Sequence, residues 1–165
     1  MTSQDFICDE PSADDPRGRL ATVEQVRAYA LAGNATVTLV STATGKRFTY
    51  RLRATEKQDP PSKVSHFVNV MNGPDNTGDF VYLGHVFATS HDYVHGRKSR
   101  IGADAPSAKA FAWFWAKVIQ GTGDAIPDSL EVWHEGRCGA CGRKLTVPES
   151  IARGLGPECA GRNGF

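Results

Sequence analysis

The chain has 165 residues, a formal net charge of +1 and 40% hydrophobic residues, enough for one medium-sized domain with a core and a small second unit. No apolar stretch approaches the length of a membrane span, and the first residues are acidic where a signal peptide would be basic, so we expect neither a membrane protein nor a secreted one. We therefore expect a cytoplasmic protein whose cysteines serve metal binding rather than disulfides.

The charge is unevenly distributed along the chain. Residues 1–19 contain five acidic and two basic side chains, whereas residues 20–165 contain 17 basic and 13 acidic ones. Residues 1–21 have the composition of a flexible acidic tail, and Cys8 within it is predicted to be a spare thiol. The mild positive charge of the remainder is compatible with a polyanionic partner but does not require one.

The hydrophobic pattern predicts an α+β domain over residues 22–120, in which helices flank an antiparallel sheet. Thr22 can cap a helix over residues 23–32, and Asp104 can cap a second helix that ends near Gln120. Alternation and turn residues predict the strands between them. These strands span residues 35–40, 46–53, 66–71, 79–87 and 93–98, with a loop over 56–63 and a hairpin loop over 72–78.

One strand presents a row of basic side chains. Alternation over residues 46–53 directs Phe48 and Tyr50 to the core and arginines to the opposite face. The candidate phosphate-binding surface comprises Arg47, Arg51 and Arg53, with Arg97, Lys98 and Arg100 as an extension. A solvated outer face of a sheet would show the same pattern. Because Phe48 and Tyr50 point away from the arginines, no base-stacking aromatic platform is predicted.

Catalytic motifs are not found. The sequence has no phosphate-binding G-x-x-x-x-G-K-[ST], no H-E-x-x-H and no G-x-S-x-G. The loop before residue 80 carries Asp75, Asn76 and Asp79 but lacks the spacing of a calcium loop, so a hairpin turn is favoured over a ligand site. An enzyme would need a deep polar pocket near these residues and His85. The sequence leaves enzymatic activity uncertain and favours a non-enzymatic protein.

The strongest chemical signal lies in residues 129–165, which follow a predicted linker over residues 121–128. The pattern H-x3-C-x2-C-x17-C comprises His134, Cys138, Cys141 and Cys159. Three thiolates and one imidazole are a familiar ligand set for a closed structural zinc site, which leaves no open position for catalysis. A disulfide with one odd thiol is the alternative. His134 is favoured over Cys8 and the other histidines as fourth ligand because its short loop to Cys138 closes at little entropic cost.

The segments around the cysteines predict a treble-clef-like or ribbon-like module. A short strand over residues 130–133 leads to His134, and the pair Cys138 and Cys141 forms a tight knuckle. Thr146 and Glu149 form a capping box for a helix over residues 150–153, after which the chain turns back to Cys159. About 35 residues cannot fold on apolar burial alone, so we expect the metal to supply much of the stability.

Residues 138–159 read C-G-A-C-G-R-K-L-T-V-P-E-S-I-A-R-G-L-G-P-E-C. This run resembles the small C-terminal zinc-finger domain, of unassigned function, in bacterial and bacteriophage proteins. The resemblance implies that Cys138, Cys141 and Cys159 are the ligands, with His134 preceding them. Residues 80–84 and 97–111 also resemble the N-terminal part of such phage or mobile-element proteins. The resemblance implies a mobile-element setting and supplies no activity.

Two hypotheses for function remain. The first is a non-enzymatic zinc protein that binds DNA or RNA through its basic sheet face and through the knuckle residues Arg137, Arg143 and Lys144. The second is a protein-binding anti-defence or host-takeover factor that inhibits a bacterial enzyme, with the acidic tail as a recognition feature. Neither involves a membrane.

Overall fold

The structure is a computed structural model that describes residues 18–55, 64–73, 78–123, 125–145, 151, 153–156 and 158–159. Its elements are α1 (Val23–Ala30), β1 (Asn34–Ser41), β2 (Arg47–Ala54), β3 (His66–Met71), β4 (Phe80–Val86), β5 (Tyr93–His95), α2 (Pro106–Phe114), continued by a π-helical segment over Trp115–Ile119, and β6 (Leu130–His134). The predictions for Cys8 and the tail, for the 56–63 loop, for Asp75 and Asn76, and for the capping box of Thr146 and Glu149 lie outside the described residues.

The six strands form one sheet in the order β5-β4-β3-β2-β1-β6, with every neighbouring pair antiparallel. The predicted α+β class is confirmed. Strands β1 to β5 pair in the order in which they follow along the chain, whereas β6 returns after α2 to pair with β1. Residues 130–134, which the sequence places at the start of the metal module, form β6 and pair with β1 at the edge of the sheet.

The main hydrophobic core lies between one face of the sheet and the helices. Tyr50 and Leu52 are fully buried, as the alternation of β2 predicts. Phe111 of α2 packs against the rings of Tyr50 and Tyr93, each with a centroid distance of 4.8 Å. Because α1, α2 and the π-helical segment contribute to the same core, they cover the same face. None of the described helices packs on the other face, where Phe67, Phe87 and Val94 are exposed.

The helix and strand ends show where local prediction succeeds and fails. Thr22 caps α1 as predicted, since its Oγ1 accepts a hydrogen bond from the Gln25 N–H at 3.1 Å. The predicted cap of α2 is wrong: Ala105 is the N-cap, without a side-chain hydrogen bond, and Pro106 opens the helix. β5 ends at His95 because the chain turns at Gly96, whose carbonyl accepts from the Ser99 N–H. The described residues include no helix long and apolar enough to cross a membrane.

Candidate metal centre and basic sheet face

The knuckle after β6 is a tight turn stabilised by main-chain hydrogen bonds. The Cys138 N–H donates to the Arg143 carbonyl at 2.8 Å, and the Gly142 N–H donates to the Cys138 carbonyl at 2.9 Å. Gly136 and Gly142 have φ values of +80° and +77°, which side chains with a Cβ adopt only with strain. These glycines let the chain reverse closely enough for Cys138 and Cys141 to point to one side.

The structure brings the three predicted cysteine ligands together. The sulfur atoms of Cys138, Cys141 and Cys159 lie within 4.8 Å of one another, a spacing that could hold a metal ion. Cys138 is buried, Cys159 is partly buried and Cys141 is exposed. The geometry fits a metal bound by three thiolates and reached from the side of Cys141.

The main chain around Cys138 favours its thiolate. Burial raises the pKa of Cys138, but N–H donors, two of them on Ala140 and Gly156 at 3.4 Å from the sulfur, bring the pKa below its usual value. Burial and hydrogen bonding to Cys138 raise the pKa of Cys159 to about 12. A metal ion would have to displace the Cys159 proton, as it does whenever a thiol becomes a ligand.

His134 lies outside this group of sulfur atoms. Its Nδ1 accepts a hydrogen bond from the Gly136 N–H at 2.9 Å, and its Nε2 donates to the Ile151 carbonyl at 2.5 Å. Burial lowers the pKa of His134, which favours the neutral ring that this pattern requires. Binding a metal would replace one of these two hydrogen bonds. His134 as fourth ligand therefore stays a prediction.

We expect His134→Gln to retain about one metal ion per chain, because the three thiolates remain and glutamine fills similar space. Metal content by mass spectrometry and the absorption spectrum of the cobalt-substituted protein would measure this. His85→Gln, on the far face of the sheet, is the matched control. Substoichiometric metal in the His134 variant alone would identify His134 as the fourth ligand, as the spacing predicts.

The cysteine cluster packs against α1 as part of the fold. A second small core contains the buried side chains of Ala32, Cys138, Leu145 and Leu155. The Asn34 N–H at the start of β1 donates to the Gly139 carbonyl at 2.6 Å. Ala28 of α1 packs against this core, which therefore connects the cysteine cluster to α1 and β1.

Residues 130–164, roughly a fifth of the chain, match a family of unknown function (DUF6011). The match contains the three clustered cysteines and agrees with the resemblance to a small C-terminal Cys-rich domain. No curated protein and no solved structure matches the chain.

The uncovered face of the sheet combines basic and aromatic side chains. Strand register places residues opposite one another on the same face. Arg53 lies opposite Phe67, Phe67 opposite His85, and His85 opposite Val94. The next row places Arg51 opposite Asn69, and Asn69 opposite Tyr82. Two of the predicted arginines therefore share a surface with aromatic rings.

Sequence reasoning missed these aromatic residues. Phe67 is 49% exposed and Phe87 is 44% exposed, although both are large and apolar. In β3 both neighbours of Phe67 are buried, and His66 is a polar residue inside the core. The strand reads H-F-V-N-V-M, so hydrophobicity alone suggests that Phe67 is buried and His66 exposed. The polar Asn69 marks the correct face, two residues after Phe67.

The remaining predicted basic residues lie at opposite edges of the sheet. Arg97, Lys98 and Arg100 follow β5, whereas Arg137, Arg143 and Lys144 follow β6 around the knuckle, and all six are exposed. Arg137 and Lys144 pair as an isolated antiparallel bridge. The arginines of β2 lie between these two sets, with Arg47 exposed at the start of the strand. The structure therefore does not gather the predicted residues into one cluster.

Proposed function

We propose that this chain is a non-enzymatic nucleic-acid-binding protein from a phage or mobile element, with a structural zinc ion at its cysteine cluster. One observation carries the proposal: Arg51 and Arg53 lie beside aromatic side chains on the sheet face opposite the helices. Nucleic-acid-binding surfaces combine cations for phosphates with rings for bases.

The surroundings of Arg53 favour an anionic partner. Arg53 is half-buried, and its Nη1 atom is buried without a hydrogen-bond partner among the described residues. Burial, with the neighbouring Arg51 charge, lowers the pKa of Arg53, although the Glu135 carboxylate opposes this shift. A phosphate oxygen bound to the exposed part of this guanidinium would reduce its repulsion with Arg51.

Zinc fits the cysteine cluster because thiolates are soft ligands of the kind that bind zinc in structural sites. In this proposal the ion fixes the knuckle, whose three exposed cations are Arg137, Arg143 and Lys144. These cations would contact the nucleic-acid backbone without reading its sequence. The metal thus acts through structure, and no step of chemistry is assigned to it.

We expect Arg53→Gln to weaken nucleic-acid binding and to lower the slope of log K against log salt by roughly 0.7 to 0.9, the value for one phosphate contact. Fluorescence anisotropy with labelled DNA and RNA, starting at about 50 mM salt, would measure both quantities. Lys109→Gln is the matched control. It removes one exposed positive charge from α2, which covers the opposite face of the sheet.

Absence of DNA and RNA binding at low salt would reject the proposal. Equal losses of nucleic-acid affinity in the Arg53 and Lys109 variants would show that binding depends on net charge alone. A stoichiometric protein captured from bacterial lysate after nuclease treatment, together with absent nucleic-acid binding, would favour the anti-defence alternative.

A further inference from the structure

A groove of about 570 Å³ lies on the uncovered face at the β3–β5 end of the sheet. This volume is within the range of about 300–1,000 Å³ that is typical of small-ligand sites. The described residues that line it include no acid. Those that matter here are Phe67, Tyr82, Phe87, Val94, Arg97 and Lys98.

The rings in this groove are held in place but remain accessible. Phe67 meets Tyr82 edge-on at a centroid distance of 6.2 Å, and His85 meets Phe87 edge-on at 4.7 Å. The Tyr82 hydroxyl lies 3.2 Å from Nδ1 of His85. In an edge-on pair the edge of one ring meets one face of the other, so each ring keeps at least one face that this partner does not cover, and about half of Phe67 is exposed.

Gly96 lets the Tyr82 ring lie close to the main chain of the turn after β5. A Cβ atom at position 96 would lie 2.3 Å from the Tyr82 ring, so only glycine fits beneath it. The Ser99 hydroxyl donates to the Tyr82 carbonyl at 2.7 Å, which fastens the same turn to β4. The exposed Arg97 and Lys98 are therefore fixed at the rim of the groove.

Positive charge flanks the rings on two sides. The row Arg53–Phe67–His85–Val94 crosses four strands, and three strand spacings place its ends about 14 Å apart. Arg53 is at one end, and the turn with Arg97 and Lys98 follows the strand at the other. A polyanion that carries flat rings matches both features, since its charges would meet the cations while its rings meet Phe67 and Phe87.

We infer that this groove binds single-stranded nucleic acid by stacking unpaired bases on Phe67, Tyr82 and Phe87, with phosphates near Arg53, Arg97 and Lys98. The inference rests on the proposed nucleic-acid binding and specifies the ligand class. Bases within a duplex are already stacked and do not present their faces, whereas those of a single strand do. Because stacking accepts every base, the binding should show little sequence preference.

The test compares labelled oligothymidylate with a blunt duplex of equal length by fluorescence anisotropy, using the full chain loaded with zinc. We expect Phe67→Ala and Phe87→Ala each to raise the Kd for the single strand roughly 5- to 100-fold. The salt slope should stay unchanged, because no phosphate contact is lost. Trp113→Ala is the matched control, since Trp113 is 39% exposed but belongs to α2 on the other face of the sheet.

Ultraviolet crosslinking to oligothymidylate should place adducts on peptides that contain Phe67, Tyr82 or Phe87. Thermal unfolding should show that the exposed-ring variants remain folded. Equal or tighter duplex binding, with both phenylalanine variants unaffected and Arg53→Gln weakened, would overturn base stacking but leave nucleic-acid binding intact. No binding of either oligonucleotide would reject both proposals.

Discussion

In the proposed zinc-bound protein, removing the metal is expected to unfold the region around Cys138 to Cys159 while the six-stranded sheet stays folded. Among the residues that the structure describes, the second core has four buried side chains, and one of them is a predicted ligand. So small a core cannot offset the conformational entropy of ordering the segment. In zinc-finger peptides the apparent binding free energy is about 10–16 kcal/mol, and it is supplied as folding free energy.

Hydrogen exchange with and without a chelator would measure whether the cysteine region unfolds independently of the sheet. Two amides report on the region directly. The Asn34 N–H donates to the Gly139 carbonyl, and the Gly139 N–H donates to the Gly154 carbonyl. Both should lose protection when the metal is removed. Amides of β2 and β3 should keep theirs, because the core beneath them is separate and larger.

A pair of cysteine variants tests the same expectation without a chelator. Cys138→Ser should reproduce the loss of protection and of bound metal, since a serine hydroxyl is a poor zinc ligand. Cys8→Ser, the predicted spare thiol, should change neither. Full protection in the metal-free protein would show that the second core is stable alone, and the structural role of the metal would be withdrawn.

The accuracy of the sequence-based predictions followed the strength of the local pattern. β2 alternates polar and apolar residues cleanly, so its faces were predicted correctly, with Tyr50 and Leu52 buried. The cysteine spacing also carries its own geometry, because two residues between Cys138 and Cys141 require a tight turn. The three cysteines accordingly lie together.

Long-range contacts and mixed patterns were not predictable in the same way. Nothing local to residues 130–134 indicates that β6 pairs with β1, some 90 residues earlier in the chain. In β3, burial depends on which face the helices cover, and the buried His66 contradicts simple hydrophobic patterning. The aromatic surface therefore emerged only from strand register. The cap of α2 failed for a smaller reason, a shift of one residue from Asp104 to Ala105.

Tyr29 connects the sheet to the region around Cys138 to Cys159. Its hydroxyl donates to the Thr36 carbonyl at 2.8 Å and accepts from the Thr36 N–H at 3.0 Å. Thr36 lies just beyond the last β1–β6 pair, Val37 with His134, so the hydroxyl satisfies main-chain groups that β6 does not reach. Burial raises the pKa of Tyr29, which keeps the hydroxyl protonated as a donor.

The ring of Tyr29 packs on two glycines of the region around Cys138 to Cys159. A Cβ atom at Gly139 or at Gly154 would lie 2.6 Å from this ring, so the contact depends on both glycines. The ring also lies 5.5 Å from the His134 ring, between centroids. The Tyr29 side chain therefore contacts β1 through its hydroxyl and the region around Cys138 to Cys159 through its ring.

Two variants should distinguish the role of the Tyr29 ring from the role of its hydroxyl. Tyr29→Ala should lower the free energy of unfolding by about 3–5 kcal/mol, as for other buried aromatic truncations, and should weaken metal binding because the cysteine region loses its support. Tyr29→Phe should cost about 1–3 kcal/mol, since the ring stays but the buried Thr36 groups lose their partner. Its metal affinity should remain close to that of the wild type.

Urea unfolding at a fixed excess of zinc would give the two stabilities, and competition with a chelating dye would give the two affinities. Phe87→Ala is the control, because it removes an aromatic ring that is 44% exposed and distant from the cysteines. If Tyr29→Ala loses stability but keeps wild-type metal affinity, the ring supports only the sheet and α1. The cysteine region would then fold on its metal alone, and the coupling through Tyr29 would be rejected.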